Sequence, residues 1–83
     1  MRLDKFLKVS RVIKRRTLAK EICDQGNVLV NGRVAKAGLE IKPGDRLEIH
    51  FGPRVLKLEV VDVRDNVPAK QAAELYRVIE EVT

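Results

Sequence analysis

A basic helical segment that runs directly into an Asn-Gly turn is the feature that most constrains the fold of this 83-residue chain. Between Arg2 and Lys20 there are eight Lys or Arg residues and one acid, Asp4, so this segment carries +7 in a chain whose total is +5. An Asn-Gly pair between two β-branched stretches is a strong signal of a two-residue β-hairpin, because both residues tolerate positive φ. The order predicts basic helices followed by an antiparallel hairpin.

Two short helices are predicted before this hairpin, each with one apolar stripe. In residues 2–10, the positions that fall within one arc of a helical wheel are Leu3, Phe6, Leu7 and Ser10. Thr17 is the expected N-cap of the second helix, and Gly26 is its expected end. The expected inner stripe of that helix is Leu18, Ala19, Ile22 and Cys23. Between the helices, the side chains of residues 14–16 are expected to be exposed.

The rest of the chain predicts strands and a terminal helix. The hairpin has strands at residues 28–30 and from Val34, and further strands are expected at 46–51 and 56–63, separated by turns at 42–45 and 52–53. After Pro68, apolar residues at helical spacing predict an amphipathic helix from Ala69 to about Glu81. The expected fold class is α+β in one small domain, in which residues 1–50 form one module and residues 51–83 complete it.

The charge distribution favours a partner that is a polyanion. Residues 1–40 carry a net charge of +6 and residues 41–83 a net charge of −1. A solvated surface is the ordinary reading of a charge run, but the first helix has no acids four residues after its lysines. The chain has only three aromatic residues, which argues against stacking of bases on an aromatic platform. We therefore expect the polyanion to be recognised by its charge and shape.

Other classes of protein receive little support from the sequence. No nucleophile stands beside a His, and no Gly-rich phosphate loop is present, so we predict no enzymatic activity, cofactor or metal. A membrane-surface helix is the other alternative, but the first helix is short and its apolar face is needed for the core. Cys23 is the only cysteine, which excludes a disulfide within the chain. With no secretory leader and no apolar run of about 20 residues, a cytoplasmic location is expected.

Four motifs in order resemble the S-four RNA-binding domain, also called the αL RNA-binding motif. These motifs are Arg2-Leu3-Asp4-Lys5-Phe6-Leu7, Lys14-Arg15-Arg16-Thr17-Leu18-Ala19, Gly26-Asn27-Val28-Leu29-Val30-Asn31-Gly32-Arg33 and Lys42-Pro43-Gly44-Asp45. The resemblance covers residues 1 to about 50. It implies two antiparallel helices packed on a small, bent antiparallel sheet, to which the pattern described above adds a C-terminal amphipathic helix.

Within that family, the opening segment and the total length look like the protein P family of bacterial ribosome-associated quality control. The chain is also similar to the fifteen-kilodalton RNA-binding heat-shock proteins, which carry a basic C-terminal extension that this chain lacks. The resemblance implies that large ribosomal subunits blocked by peptidyl-tRNA are bound through large-subunit ribosomal RNA and that tRNA. It further implies a partner factor of the NEMF/Rqc2 type that extends the stalled peptide with alanine. We expect the chain to be a monomer.

The candidate RNA-binding residues follow from the basic helices and the hairpin. They are Arg2, Asp4, Lys5, Lys8, Arg11, Lys14, Arg15, Arg16, Lys20, Asn31, Arg33 and Lys36. Arginine grips phosphate oxygens with two parallel N–H groups, which suits a phosphate ridge. Asp4 has two open interpretations. It is either a first-turn acid at a helix N-terminus, or a residue that orients an arginine or accepts a hydrogen bond from a ribose 2′-OH.

Overall fold

The computed structural model describes residues 1–82 and confirms the α+β class. Its elements are α1 (Leu3–Val9), α2 (Arg16–Asp24), β1 (Val28–Val30), β2 (Arg33–Val34), β3 (Arg46–Phe51), β4 (Arg54–Val60), a 3₁₀ helix (Ala69–Leu75) and β5 (Tyr76–Val82). The five strands form one antiparallel sheet in the order β2-β1-β3-β4-β5. No helix among residues 1–82 is long and apolar enough to cross a bilayer.

The turns follow the predicted backbone chemistry. Asn31 has φ 52° and Gly32 has φ 84°, so both centre residues of the hairpin turn lie in the left-handed region that this turn requires. Gly26, with φ 80°, ends α2 as expected. The strand predicted at 46–51 is β3, and its partner β4 begins at Arg54 and ends at Val60, three residues before the expected end.

One face of the sheet and both helices enclose the core. The predicted arc of α1 is confirmed, because Leu3, Phe6, Leu7 and Ser10 are all buried. They pack with alternating residues of the strands, such as Val28, Ile49 and Leu58. Cys23 is buried on the inner side of α2, and burial raises the pKa of its thiol to about 11. Cys23 is therefore a small core side chain, as predicted.

The start of α2 differs from the prediction. The helix begins at Arg16, its N-cap is Arg15, and no side chain caps it, so Thr17 lies inside the first turn. The inner stripe is carried by Ala19 and Cys23, which are one turn apart and buried, and by Ile22, which is partly buried against the same core. Leu18 lies about 140° around the helix from Cys23, and its side chain is 44% exposed. Placing Leu18 in the core was wrong.

The prediction of a C-terminal amphipathic helix is also wrong. Its expected core residues Ala72 and Leu75 are buried, but they belong to the short 3₁₀ helix, and residues 76–82 form β5. Thr83, the end of the second predicted segment, lies outside the described residues.

This segment forms a strand because it is rich in β-branched residues and pairs with a neighbouring strand. Pairing with β4 brings opposite charges together across the two strands. Lys57 Nζ lies 3.5 Å from a Glu80 carboxylate oxygen, and Arg77 Nη2 lies 2.6 Å from Glu59. Such cross-strand pairs stabilise the strand. Helical spacing within one segment cannot reveal them, because the partner residues lie on another strand.

Candidate nucleic-acid interface

The centre of the basic surface is the buried carboxylate of Asp4. The residue is 3% exposed, in the first turn of α1. Its Oδ1 accepts hydrogen bonds from Arg2 Nε at 3.1 Å and from the backbone N–H of Lys5 at 2.8 Å. Its Oδ2 lies 3.3 Å from Arg2 Nη2 and 3.4 Å from Arg16 Nε. One carboxylate thus holds two arginines from different helices side by side.

The electrostatics of this cluster favour the ionised carboxylate. Burial by itself raises the pKa of Asp4, but the hydrogen bonds from Arg2, Arg16 and the Lys5 backbone outweigh it and hold that pKa below its usual value. The hydrogen bond to Asp4 raises the pKa of the Arg2 guanidinium. Both arginine side chains remain about half exposed, so each keeps N–H groups available to a ligand.

A loop that follows β2 holds the start of α1 in place. Leu3 N–H donates to the carbonyl of Leu39 at 2.9 Å, and Asp4 N–H donates to the carbonyl of Ala37 at 3.1 Å. The Arg2 guanidinium lies against Gly38, where a Cβ would be 3.6 Å from Arg2 Cζ. Arg2 is therefore in van der Waals range of this loop at position 38. The sequence did not predict this contact, because no local pattern links residues 2 and 38.

The turn between the helices carries cations that have no acidic partner. The exposed residues that form no ion pair within residues 1–82 include Lys8, Arg11, Lys14 and Arg15. Arg11 adopts φ 63°, and Ile13 is buried beneath the turn with its N–H bonded to the carbonyl of Leu7 at 3.0 Å. The predicted exposure of residues 14–16 is confirmed. Unpaired cations can bind a phosphate without first breaking an ion pair.

Two of the candidate lysines are instead engaged by acids. Lys20 Nζ lies 3.0 Å from Asp24, one turn further along α2, and the hydrogen bond raises the pKa of Lys20. Lys5 Nζ lies 3.0 Å from Asp65, in the connection between β4 and the 3₁₀ helix, and Lys5 lowers the pKa of Asp65. The second half of the chain thus reaches the basic surface, which the charge asymmetry alone did not reveal.

The hairpin supplies a second edge of the surface. Arg33 and Lys36 are exposed and form no ion pair within the described part of the chain. The Asn31 side chain is occupied with the fold: its Nδ2 donates to Asp45 Oδ1 at 3.1 Å, and its Oδ1 accepts from the Arg46 N–H at 3.0 Å. Of these three candidates, Asn31 has a structural role that the structure shows directly.

The chemistry of the surface suits an anion. Residues 1–82 contain no group of three or more His, Cys, Asp or Glu side chains that could hold a metal ion. Arg2 and Arg16 are held by Asp4, and the further exposed cations Lys8, Arg11, Lys14 and Arg15 lie on α1 and on the turn that leads into α2. We call these residues, Arg2, Lys8, Arg11, Lys14, Arg15 and Arg16, the basic face. A rigid group of guanidinium and ammonium donors can bind phosphate oxygens without rearranging.

Comparison with known proteins gives four consistent matches. The S4 domain family model matches residues 1–47. The RQC P-site tRNA stabilizing factor of Halalkalibacterium halodurans is 57% identical over 81 residues, which cover 98% of this chain and 92% of that protein. The factor of the same name from Bacillus subtilis is 51% identical, with 98% and 94% covered. The solved structure of heat shock protein 15 from Vibrio cholerae, described as trimeric, has a TM-score of 0.87 at 30% identity and covers 94% of this chain and 80% of that one.

Proposed function

The chain belongs to the S4 domain family and groups with the RQC P-site tRNA stabilizing factors, and we propose on this basis that it is a non-enzymatic RNA-binding factor of ribosome-associated quality control. It binds large ribosomal subunits that are still blocked by peptidyl-tRNA, contacts both that tRNA and large-subunit ribosomal RNA, and acts in the cytoplasm. By holding the tRNA in place, it supports a factor of the NEMF/Rqc2 type that extends the stalled peptide with alanine.

The observation that carries the proposal is the Asp4 cluster. Asp4 fixes Arg2 and Arg16 next to each other, and four unpaired cations continue the basic face from there. Each guanidinium can donate two parallel hydrogen bonds to phosphate oxygens, and the lysines and arginines of the turn add charge. A face of this kind binds folded RNA by the shape and charge of its backbone.

The second edge extends the proposed contact. Arg33 and Lys36 are exposed, form no ion pair within residues 1–82 and can bind a further stretch of RNA backbone, whereas Asn31 contributes by holding the turn. Lys5 and Lys20 also contact the RNA when phosphate replaces Asp65 and Asp24 as their ion-pair partners. The contributions of individual residues are additive charge contacts, so no single lysine carries the binding.

A second candidate function is suggested by the similarity to heat shock protein 15. In that case the chain would recycle or assemble free large subunits, with or without peptidyl-tRNA. The two functions differ in the species that is bound. The first requires peptidyl-tRNA on the subunit, and the second does not.

Affinity purification of the tagged protein, followed by sedimentation and RNA sequencing, tests both candidates. We expect co-migration with large subunits and enrichment of tRNA. Arg16→Ala should reduce this recovery severalfold and lower the melting temperature only slightly, since Arg2 and the Lys5 N–H still bind the Asp4 carboxylate. Arg77→Ala is the matched control, because Arg77 is also an exposed arginine paired with one carboxylate, Glu59, but lies on β5. Recovery of subunits without tRNA would favour the second candidate, and equal losses in both variants would place the site elsewhere.

A further inference from the structure

We propose that the depression beside the basic turn is a subsite for one unpaired nucleotide, in which Glu21 selects guanine. This inference rests on the proposed RNA-binding function and adds a base preference to a surface otherwise described by charge. The depression is lined by Lys14, Arg15, Thr17, Leu18 and Glu21. It adjoins the basic face, with which it shares the first two of these residues.

The subsite is formed by the side of α2 that points away from the core. Glu21 follows Thr17 by one helical turn, and Leu18 lies beside them on the exposed surface. Leu18 is 44% exposed next to the unpaired cations Lys14 and Arg15, on a different side of α2 from the buried Ala19 and Cys23. Its apolar side chain can lie against the face of a base while Lys14 and Arg15 bind the adjoining phosphates.

Glu21 is unusual among the acids of the chain. Within residues 1–82, only Glu21 and Glu74 form no ion pair, although Glu21 shares its depression with two free cations. A free carboxylate in a surface that binds phosphates lowers affinity by repulsion, unless it accepts hydrogen bonds from the same ligand. Glu74, on the 3₁₀ helix, has no such surroundings.

The chemistry of an ionised carboxylate points to guanine. Both of its oxygens only accept hydrogen bonds, so it needs two neighbouring donors. Guanine presents N1–H and N2–H side by side on its Watson–Crick edge, whereas each other base places an acceptor beside its donor. Single-stranded loops are where RNA exposes these edges to proteins. Glu21 would thus read a guanine while Leu18 covers its ring.

Binding to three RNA hairpins tests the inference. The hairpins share one stem and a uridine loop, and differ only in a single loop nucleotide, which is guanosine, adenosine or uridine. We expect the unmodified protein to bind the guanosine hairpin about tenfold more tightly than the uridine hairpin. Glu21→Gln should abolish that preference and leave binding to the uridine hairpin unchanged or slightly tighter. Leu18→Ala should weaken binding to the guanosine hairpin most.

Glu74→Gln is the matched control, because it removes the other unpaired carboxylate and should keep the guanosine preference. The inference is overturned if the unmodified protein binds the three hairpins equally, or if Glu21→Gln and Glu74→Gln behave alike. Loss of large-subunit binding in Arg16→Ala together with an unchanged preference in Glu21→Gln would reject this subsite alone and leave the proposed function standing.

Discussion

At the scale of single residues, Asp4 holds two arginines close together. Two guanidinium groups repel each other, and each exposed arginine loses conformational freedom when it is held still. The buried carboxylate between Arg2 and Arg16 compensates both costs before any RNA arrives. The proposed binding surface is therefore preorganised by an acid, although an acid in isolation opposes binding of a polyanion.

The substitution Asp4→Asn separates this positioning role from simple charge. The amide cannot hold both guanidinium groups, so we predict that affinity for large subunits carrying peptidyl-tRNA falls about threefold to tenfold, although the surface becomes more positive. Unfolding free energy should fall by about 1 kcal/mol, because buried hydrogen bonds are lost. Subunit binding at fixed salt and urea unfolding measure the two effects.

Asp24→Asn is the matched control for this prediction. Asp24 also neutralises a candidate residue, Lys20, but at an exposed surface pair one turn apart on α2. Removing it should raise affinity slightly, as expected from charge alone. Tighter binding by Asp4→Asn as well would mean that Asp4 only repels RNA.

Asp45 gives a prediction about pH. It is buried, and burial raises its pKa. Hydrogen bonds from the Lys42 N–H at 2.9 Å, from Asn31 and from the Lys42 ammonium outweigh burial, so that the folded-state pKa lies below the usual value. Because the unfolded chain then binds the proton more readily, Asp45 stabilises the fold above about pH 4. That contribution is lost as the pH falls through the folded-state pKa.

Urea unfolding from neutral pH to about pH 2.5 measures this dependence. We expect the unfolding free energy of the unmodified protein to fall below about pH 4, with Asp4 contributing in the same direction. In Asp45→Asn the fall should be shallower, because one of the responsible groups is gone. An identical pH dependence in that variant would show that Asp45 has the same pKa folded and unfolded.

The presence of a basic surface and the core arc of α1 were predictable from sequence, whereas the contacts of the basic residues were not. Charge density and helical spacing located the basic residues, and the helix arc located the core of α1. The links from Asp4 to Arg16, from Arg2 to Gly38 and from Lys5 to Asp65 join positions far apart in the chain. Only the packing of α1 on its neighbours brings these partners together.

At the scale of elements, the C-terminal segment shows where periodicity misleads. Ala72, Leu75, Ile79 and Val82 fit a helical seam, and their spacing alone favours a helix. The same segment contains three β-branched residues, and β4 would be left as an edge strand without it. The choice between helix and strand is decided by that partner strand, which is 16 or more residues earlier in the chain.

Replacing Val78, Ile79 and Val82 together by alanine distinguishes a strand from a helix, because the change in unfolding free energy has opposite signs in the two cases. Alanine favours helix by up to about 0.5 kcal/mol per residue over such residues and is a poorer strand former. For a strand we predict a loss of about 1–2 kcal/mol in unfolding free energy, measured by urea unfolding. Val61→Ala is the control, because Val61 is half exposed but follows the end of β4. A gain in stability would contradict β5.

At the scale of the whole molecule, charge is separated between two surfaces. The basic face holds free cations, whereas β4 and β5 pair their charges across the sheet, as Lys57 does with Glu80 and Arg77 does with Glu59. The net charge of +5 is therefore concentrated on one side of a small molecule. Such a distribution orients the approach to RNA as well as contributing to affinity.

The salt dependence of binding tests the central claim most directly. Each neutralised phosphate contributes about −0.7 to −0.9 to the slope of log affinity against log salt concentration, so five to seven contacts predict a slope of about −4 to −6. We expect this slope for large subunits carrying peptidyl-tRNA in a potassium chloride titration, and a slope less steep by about 0.7–0.9 for Arg16→Ala. A slope near zero, or an unchanged slope in Arg16→Ala, would contradict a phosphate-binding face centred on Asp4 and its two arginines.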